Sequence, residues 1–129
     1  SKMPDLFHGY TYSGHPLASA ACIATLDVYR DDGIFGNAGQ MADQWEEMLH
    51  GLADIDGITD IRNCGIIGAI QLRQNGEVGD AGRAAYAKLW EAGLIVRPIG
   101  DALAVSPPLT ITQAHVDEIG QTLRSVLGG

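Results

Sequence analysis

The apolar positions along the chain change their period several times, and those changes divide it into elements. Residues 1–15 keep neither a helical nor a strand period and are rich in Gly, Tyr and His, so they read as an extended arm. Pro16 suits the first turn of a helix, where its missing N–H costs nothing. The run it opens, PLASAACIATLDVYR, is apolar on nearly every face and small throughout, the pattern of a helix buried all round. It is a poor surface element for a small domain and asks for a packing neighbour. Gly33 in DDG supplies its stop. Asn37 and Gln40 have the spacing of a capping box. Met41, Trp45, Met48, Leu49 and Leu52 then recur at helical intervals and predict an amphipathic helix over 38–53.

Beyond the turn DIDG the period shortens. ITDIRNCG and IIGAIQLR are short, β-rich and broken by Gly65, which predicts a hairpin or a bent strand pair. NGEVGD reads as a loop, Asp80 as the cap of a helix running to about Ala92, and Gly93 as its stop. LIVRPIG and ALAVSPP are two further strands around Gly100–Asp101, the second ended by Pro107 and Pro108. Thr112 is placed to cap a last helix with Val116, Ile119, Leu123 and Val126 on one stripe. From about residue 37 the order is helix, two strands, helix, two strands, helix. That predicts an α+β layer, an antiparallel-leaning sheet of about four strands with helices packed on one side. The only composition break, near Asp31 to Gly36, separates the arm and apolar helix from this unit.

Composition narrows the class. With 129 residues, 46% hydrophobic and 6% aromatic, the chain can bury a core of its own. A net charge of −8 argues against a general nucleic-acid binder, which needs a basic face. No apolar run is long enough to span a membrane, and no charged-then-apolar leader opens the chain, so a cytoplasmic protein is expected. Cys22 and Cys64 lie far apart without metal spacing and read as buried free thiols, Cys64 in the core.

Two places offer chemistry. Before the first helix, Thr11 and Ser13 provide hydroxyls, residues near Gly14 can present N–H groups, and the helix start adds a positive dipole end. Together these suit a phosphate. The competing reading makes Thr11 and Ser13 simple helix caps with His15 a packed turn residue. Arg97 is the second place, a single cation in an otherwise apolar strand. Buried, it needs a planar anion: an internal carboxylate such as Asp101 or Glu77, or a substrate carboxylate held in a two-pronged fork. His8, His15, His50 and His115 do not cluster at a metal spacing, and His50 and His115 read as solvated. Ser106 lacks the flanks of a nucleophile. Trp45, Tyr86 and Trp90 read as packing residues, and Arg62 and Arg73 as surface or strand-end charges.

Three blocks in one order, HGYTYSGHPLASAACIATLDVY, NCGIIGAIQL and GLIVRPIGDALAVSPPLTIT, give the chain a family likeness. It resembles the class III aminotransferases, the fold-type-I, pyridoxal 5'-phosphate-dependent group that includes the ω-amino acid:pyruvate transaminases. The likeness covers essentially the whole chain and corresponds to the C-terminal third of such an enzyme. It implies that residues 1–32 end the large domain, as an arm and connecting helix, and that residues 33–129 form the α+β small domain of an α/β enzyme. It implies that Thr11 donates to the cofactor phosphate in the neighbouring subunit's site, with Tyr10 beside it as a pocket residue. It implies that Arg97 holds the substrate carboxylate and swings away for substrates without one.

The same resemblance defines what is expected elsewhere. Such an enzyme needs a lysine bonded to the cofactor, an acid beside the pyridine nitrogen and an aromatic against the ring. Lys2 lies too close to Thr11 for the family spacing, and Lys88 falls on a small-domain helix. No catalytic residue is therefore assigned to this chain, and no metal. It is expected to be an inactive fragment whose parent is a homodimer or higher assembly converting an amine or amino acid and a keto acid, and which requires the missing large domain. Ala114 and His115 stand where relatives place an acid early in the final helix, which would weaken its cap. Two other readings stay open: a stand-alone α+β module binding an amino acid through Arg97, and another fold-type-I enzyme such as an aminomutase or decarboxylase.

Overall fold

A computed structural model describes residues 9–129; Lys2, His8 and the rest of the arm before Gly9 lie outside the described residues. The chain divides into two compact units, the first ending at Gly33 and the second running Ile34–Gly129. In the first, a turn over residues 11–14 leads into α1, Pro16–Asp31. The Ser13 hydroxyl accepts the Tyr10 N–H at 3.1 Å, and the Ser13 N–H donates to the Tyr10 carbonyl at 3.1 Å, so Ser13 closes the turn rather than capping the helix. The cap is His15, whose Nδ1 accepts the Ala18 N–H at 3.4 Å. Neither Thr11 nor Ser13 fills that place, and His15 is exposed rather than packed. Gly33, at φ 62, supplies the left-handed residue after the helix.

Contrary to the burial its composition predicts, α1 contains no buried residue, and Leu17, Ile23 and Leu26 are well exposed. Periodicity states which faces are apolar; whether they are covered depends on a surface that one helix cannot specify. The cysteines are likewise corrected: Cys22 and Cys64 are free thiols, but both are exposed.

In the second unit, α2 (Ile34–His50) begins directly after Gly33, earlier than the expected start at residue 38. Asn37 is therefore inside the helix and caps nothing. Its amide donates instead to the carbonyls of Leu109, at 2.9 Å, and Ile111, at 3.0 Å, tying α2 to the loop that follows the Pro107–Pro108 pair. β1 (Ile58–Cys64) and β2 (Ile67–Leu72) form the expected hairpin, with Gly65 at φ 56 in its turn. Then come α3 (Asp80–Glu91), β3 (Arg97–Ile99), β4 (Ala102–Val105) and α4 (Gln113–Leu127). The four strands pair antiparallel in the order β1-β2-β4-β3, so the predicted α+β layer is what the chain forms.

Alternation along the strands decides which face is the core. Gly68 and Ile70 of β2 and Leu103 and Val105 of β4 are buried. They join Trp45 and Leu49 from α2, Leu89 from α3, and Val116 and Leu123 from α4 in one cluster. Trp90, by contrast, is 55% exposed, so only Trp45 of the two tryptophans is a core residue. No helix among the described residues is long and apolar enough to cross a membrane.

The helix ends are held by groups that short-range sequence patterns do not show. Asp80 is the first helical residue of α3, not its cap; the position before it is Gly79, at φ 90, which has no side chain to offer. The acceptor comes from the β3–β4 turn: Oδ1 of buried Asp101 takes the N–H of Gly79 at 3.0 Å and that of Ala81 at 3.1 Å. At α4, Thr112 is the cap as expected, and His115 does the work of the usual acid. Its Nδ1 accepts the Thr112 N–H at 3.3 Å and lies 3.0 Å from the Thr112 hydroxyl. The predicted weakening of that cap is not seen. On the surface, Arg124 holds the Asp54 carboxyl below the usual carboxylate range, and Arg73 does the same for Asp56.

Candidate functional site

The sheet leaves one face without helices, and the register arranges it in rows. Arg62 of β1 lies opposite Ala69 of β2, Ala69 opposite Ala104 of β4, and Ala104 opposite Arg97 of β3. The next row reads Asp60, Gln71, Ala102 and Ile99. Directly opposite residues project to the same side, so Arg97, Ala104, Ala69 and Arg62 share the open face. The burial pattern agrees: Arg97 and Arg62 are exposed, and the two alanines between them are half-buried.

Arg97 is singled out by its company. Along its own strand the same-face neighbour is Ile99, 57% exposed, and Ile95, just before the strand, is 71% exposed. Val96 and Pro98 turn the other way, buried and half-buried. Pro98 fits because β3 is an edge strand, where a missing N–H breaks no ladder, and its fixed φ stiffens the backbone next to Arg97. The hairpin beyond is closed by Gly100, at φ 58, followed by Asp101, the positive φ that a two-residue connection favours.

Every other arginine has an aspartate: Arg30 with Asp27 and Asp31, Arg62 with Asp60, Arg73 with Asp56, Arg83 with Asp80, and Arg124 with Asp54. Arg97 has no hydrogen bond or ion pair among the described residues. The internal partners considered for it are otherwise engaged or absent. Asp101 is committed to the start of α3, and no contact joins Glu77 to Arg97. Nor is Arg97 buried, as the apolar strand suggests. A guanidinium standing free between two exposed isoleucines on an open sheet face can accept a planar anion without first breaking a pair.

Thr11 and Tyr10 belong to the other unit. Thr11 lies in the turn before α1 with an exposed side chain, and its hydroxyl makes no hydrogen bond among the described residues. It is a donor available to an outside acceptor. Tyr10 is 70% exposed on the same turn. An apolar hollow lies elsewhere, a cavity of about 340 Å³ between the end of α3 and α4, lined by Leu94, Pro108, Ile111, His115 and Ile119; none of the predicted site residues reaches it. No three His, Cys, Asp or Glu side chains among the described residues are grouped to hold a metal. His50, read as merely solvated, bonds Asn63 through Nε2 at 2.9 Å.

The comparisons with known proteins bear on what such a face serves. The family model for class III aminotransferases matches residues 1–127. The chain belongs to the class III aminotransferases. Among its relatives, an omega-aminotransferase of Caulobacter vibrioides is 41% identical over 96% of this chain and 28% of the relative. A beta-alanine–pyruvate aminotransferase of Pseudomonas aeruginosa is 37% identical over 97% of this chain and 28% of the relative. Among solved structures, a thermostable omega transaminase mutant from Pseudomonas jessenii superposes with a TM-score of 0.87 at 31% identity, covering 95% of this chain and 29% of that one. This class III aminotransferase chain thus spans under a third of the length of these relatives. The family depends on pyridoxal phosphate.

Sequence reasoning found the strand and the arginine. It missed Asp101 as the anchor of α3, Asn37 as a cross-link, and the alanine row beside Arg97. A signal for Asp101 did exist: Gly79 and Gly82 bracket the start of a helix, and an added Cβ at Gly82 would collide with the Gly100 carbonyl oxygen. That spacing marks the close approach of another backbone.

Proposed function

We propose that this chain is the carboxylate-binding and phosphate-contacting portion of an aminotransferase that moves an amino group between an amine or ω-amino acid and a keto acid such as pyruvate. The observation that carries the reading is Arg97, the one arginine without an acidic partner among the described residues, standing on the open face of the sheet. Arg97 takes the substrate carboxylate in a two-pronged fork and so fixes the orientation of the amino carbon. Thr11 donates its hydroxyl to the cofactor phosphate in the partner subunit's site, and Tyr10 lines that pocket. An exposed, unbonded hydroxyl fits a phosphate oxygen. Pyridoxal phosphate, when bound, supplies the electron sink that lets the amino carbon lose and regain a proton. Residues 1–32 close the large domain and residues 33–129 are the small domain. The working enzyme is a cytoplasmic homodimer of full-length chains. The relatives named for omega-amino acid and beta-alanine–pyruvate transfer support this substrate class.

The test compares the full-length enzyme with the 129-residue chain. With an ω-amino acid and pyruvate, the full-length enzyme forms alanine and the chain alone does not. Transfer by the chain alone, or refusal of every ω-amino acid and amine by the full-length enzyme, contradicts the reading.

The phosphate contact has its own check. In the full-length dimer Thr11→Ala weakens cofactor retention by roughly tenfold or more, the worth of one hydrogen bond to a charged group, and Thr11→Ser restores most of it. Dialysis followed by cofactor absorbance reads this directly; retention unchanged by Thr11→Ala rules the contact out.

A further inference from the structure

We propose that Ala104 is a specificity-determining residue, setting how long and how wide a carboxylate-bearing substrate can be while held at Arg97. The proposal rests on the carboxylate-clamp reading of Arg97 given above. Because β3 is an edge strand, Arg97 has one cross-strand neighbour, Ala104. Directly opposite side chains start about 5 Å apart, so whatever occupies position 104 stands against the guanidinium and any ligand on it. Two residues away on either side of Arg97 stand the exposed Ile95, just before β3, and Ile99, at its end. A carbon chain that leaves a carboxylate at Arg97 along the sheet face runs inward across Ala104.

The inward route is a continuous floor. Ala69 lies next in the row, and Ala102 lies beside Ala104 in the adjacent one. All three alanines are half-buried, with Gln71 beside them in the second row. The row ends at Arg62, three strand spacings of about 4.8 Å from Arg97. The guanidinium of Arg62 is already held by Asp60 at 2.7 Å, so it closes the floor without competing for the carboxylate. Apolar chain laid on such a floor leaves water, worth roughly fourfold in affinity for each methylene fully covered. A larger side chain at 104 would take the space and reject long substrates while leaving the guanidinium in place.

The experiment measures KM and kcat of the full-length enzyme for a series of ω-amino acids of increasing chain length, in the parent and in Ala104→Leu, Ala104→Gly and Arg97→Ala. In Ala104→Leu the ratio of KM for the longest donor to that for the shortest rises roughly tenfold or more, the usual discrimination of a filled apolar pocket; the change is in KM rather than kcat. In Ala104→Gly, which adds no bulk, that ratio moves the opposite way. Arg97→Ala weakens every carboxylate donor irrespective of length. If Arg97→Ala leaves the carboxylate donors unaffected, the clamp reading fails and this proposal with it. If Arg97→Ala behaves as stated but neither Ala104 variant changes the dependence on length, the clamp stands and the role of Ala104 is overturned.

Discussion

Replacing Arg97 by alanine in the full-length enzyme weakens carboxylate-bearing donors by about 2–4 kcal/mol and leaves carboxylate-free amines nearly untouched. At about 1.4 kcal/mol per factor of ten, that is a loss between roughly thirtyfold and several hundredfold in kcat/KM. The magnitude follows from what Arg97 is free to give. An arginine already paired must trade one partner for another, and the net gain on binding is small. Arg97 has no partner to lose among the described residues, while every other arginine holds an aspartate. Its neighbours Ile95 and Ile99 offer no competing acceptor, so a carboxylate gains both prongs of the fork. Lysine should recover only part of the loss, since an ammonium is a point charge without the planar fork. Equal losses for carboxylate donors and simple amines would mean that Arg97 acts on the fold or the cofactor and not on the substrate.

Asp101→Ala destabilises the chain by about 2–4 kcal/mol, far more than Asp80→Ala, although local sequence marks Asp80 as the helix cap. The Asp101 carboxylate is buried, and one of its oxygens accepts two N–H groups at the start of α3. Removing it leaves both donors without an acceptor in a place water reaches poorly, and that desolvation dominates the cost. The negative charge also sits at the positive end of the helix dipole, which adds up to about 1 kcal/mol. Asp101→Asn keeps an acceptor oxygen and loses the charge, so it falls between alanine and the parent. Asp80 accepts the Glu77 N–H and pairs with Arg83 on the surface, and exposed pairs contribute little. Urea denaturation of the three variants ranks them; a larger loss for Asp80→Ala than for Asp101→Ala would contradict the assignment. The consequence reaches the site, because Asp101 fixes the turn from which β3 runs back to Arg97, and its backbone carbonyl also takes the Leu72 N–H at 2.8 Å.

Local sequence determined a great deal here. The period of apolar residues marked α2 and α4, short β-rich runs marked the strands, and start and stop residues marked α1 and α3, all of them local signals that need no distant partner. Glycines at the turns, Gly33, Gly65 and Gly100, were legible because a positive φ is nearly their monopoly. The three motif blocks together were enough to reach the family. A lone arginine in an apolar strand was enough to mark position 97 as a cation that needs an anion, and left open whether an internal carboxylate or a ligand supplies it.

Only the tertiary structure decided which groups meet. Asn37 had the spacing of a local cap and instead spans to Leu109 and Ile111. The α3 donors found their acceptor twenty residues further on, in a turn rather than in the preceding residue. His115, judged a poor substitute for an acid, completes the capping box because its Nδ1 comes within reach of the Thr112 N–H. Cys64 and Arg97, both read as buried from apolar surroundings, are exposed because a strand has two faces and this sheet covers one with helices. The row from Arg97 through Ala104 and Ala69 to Arg62 joins four strands from two hairpins that lie far apart in the sequence. Its existence depends on strand order and register, which are set by the packing of one sheet face on three helices and by the hairpin turns that fix the pairing.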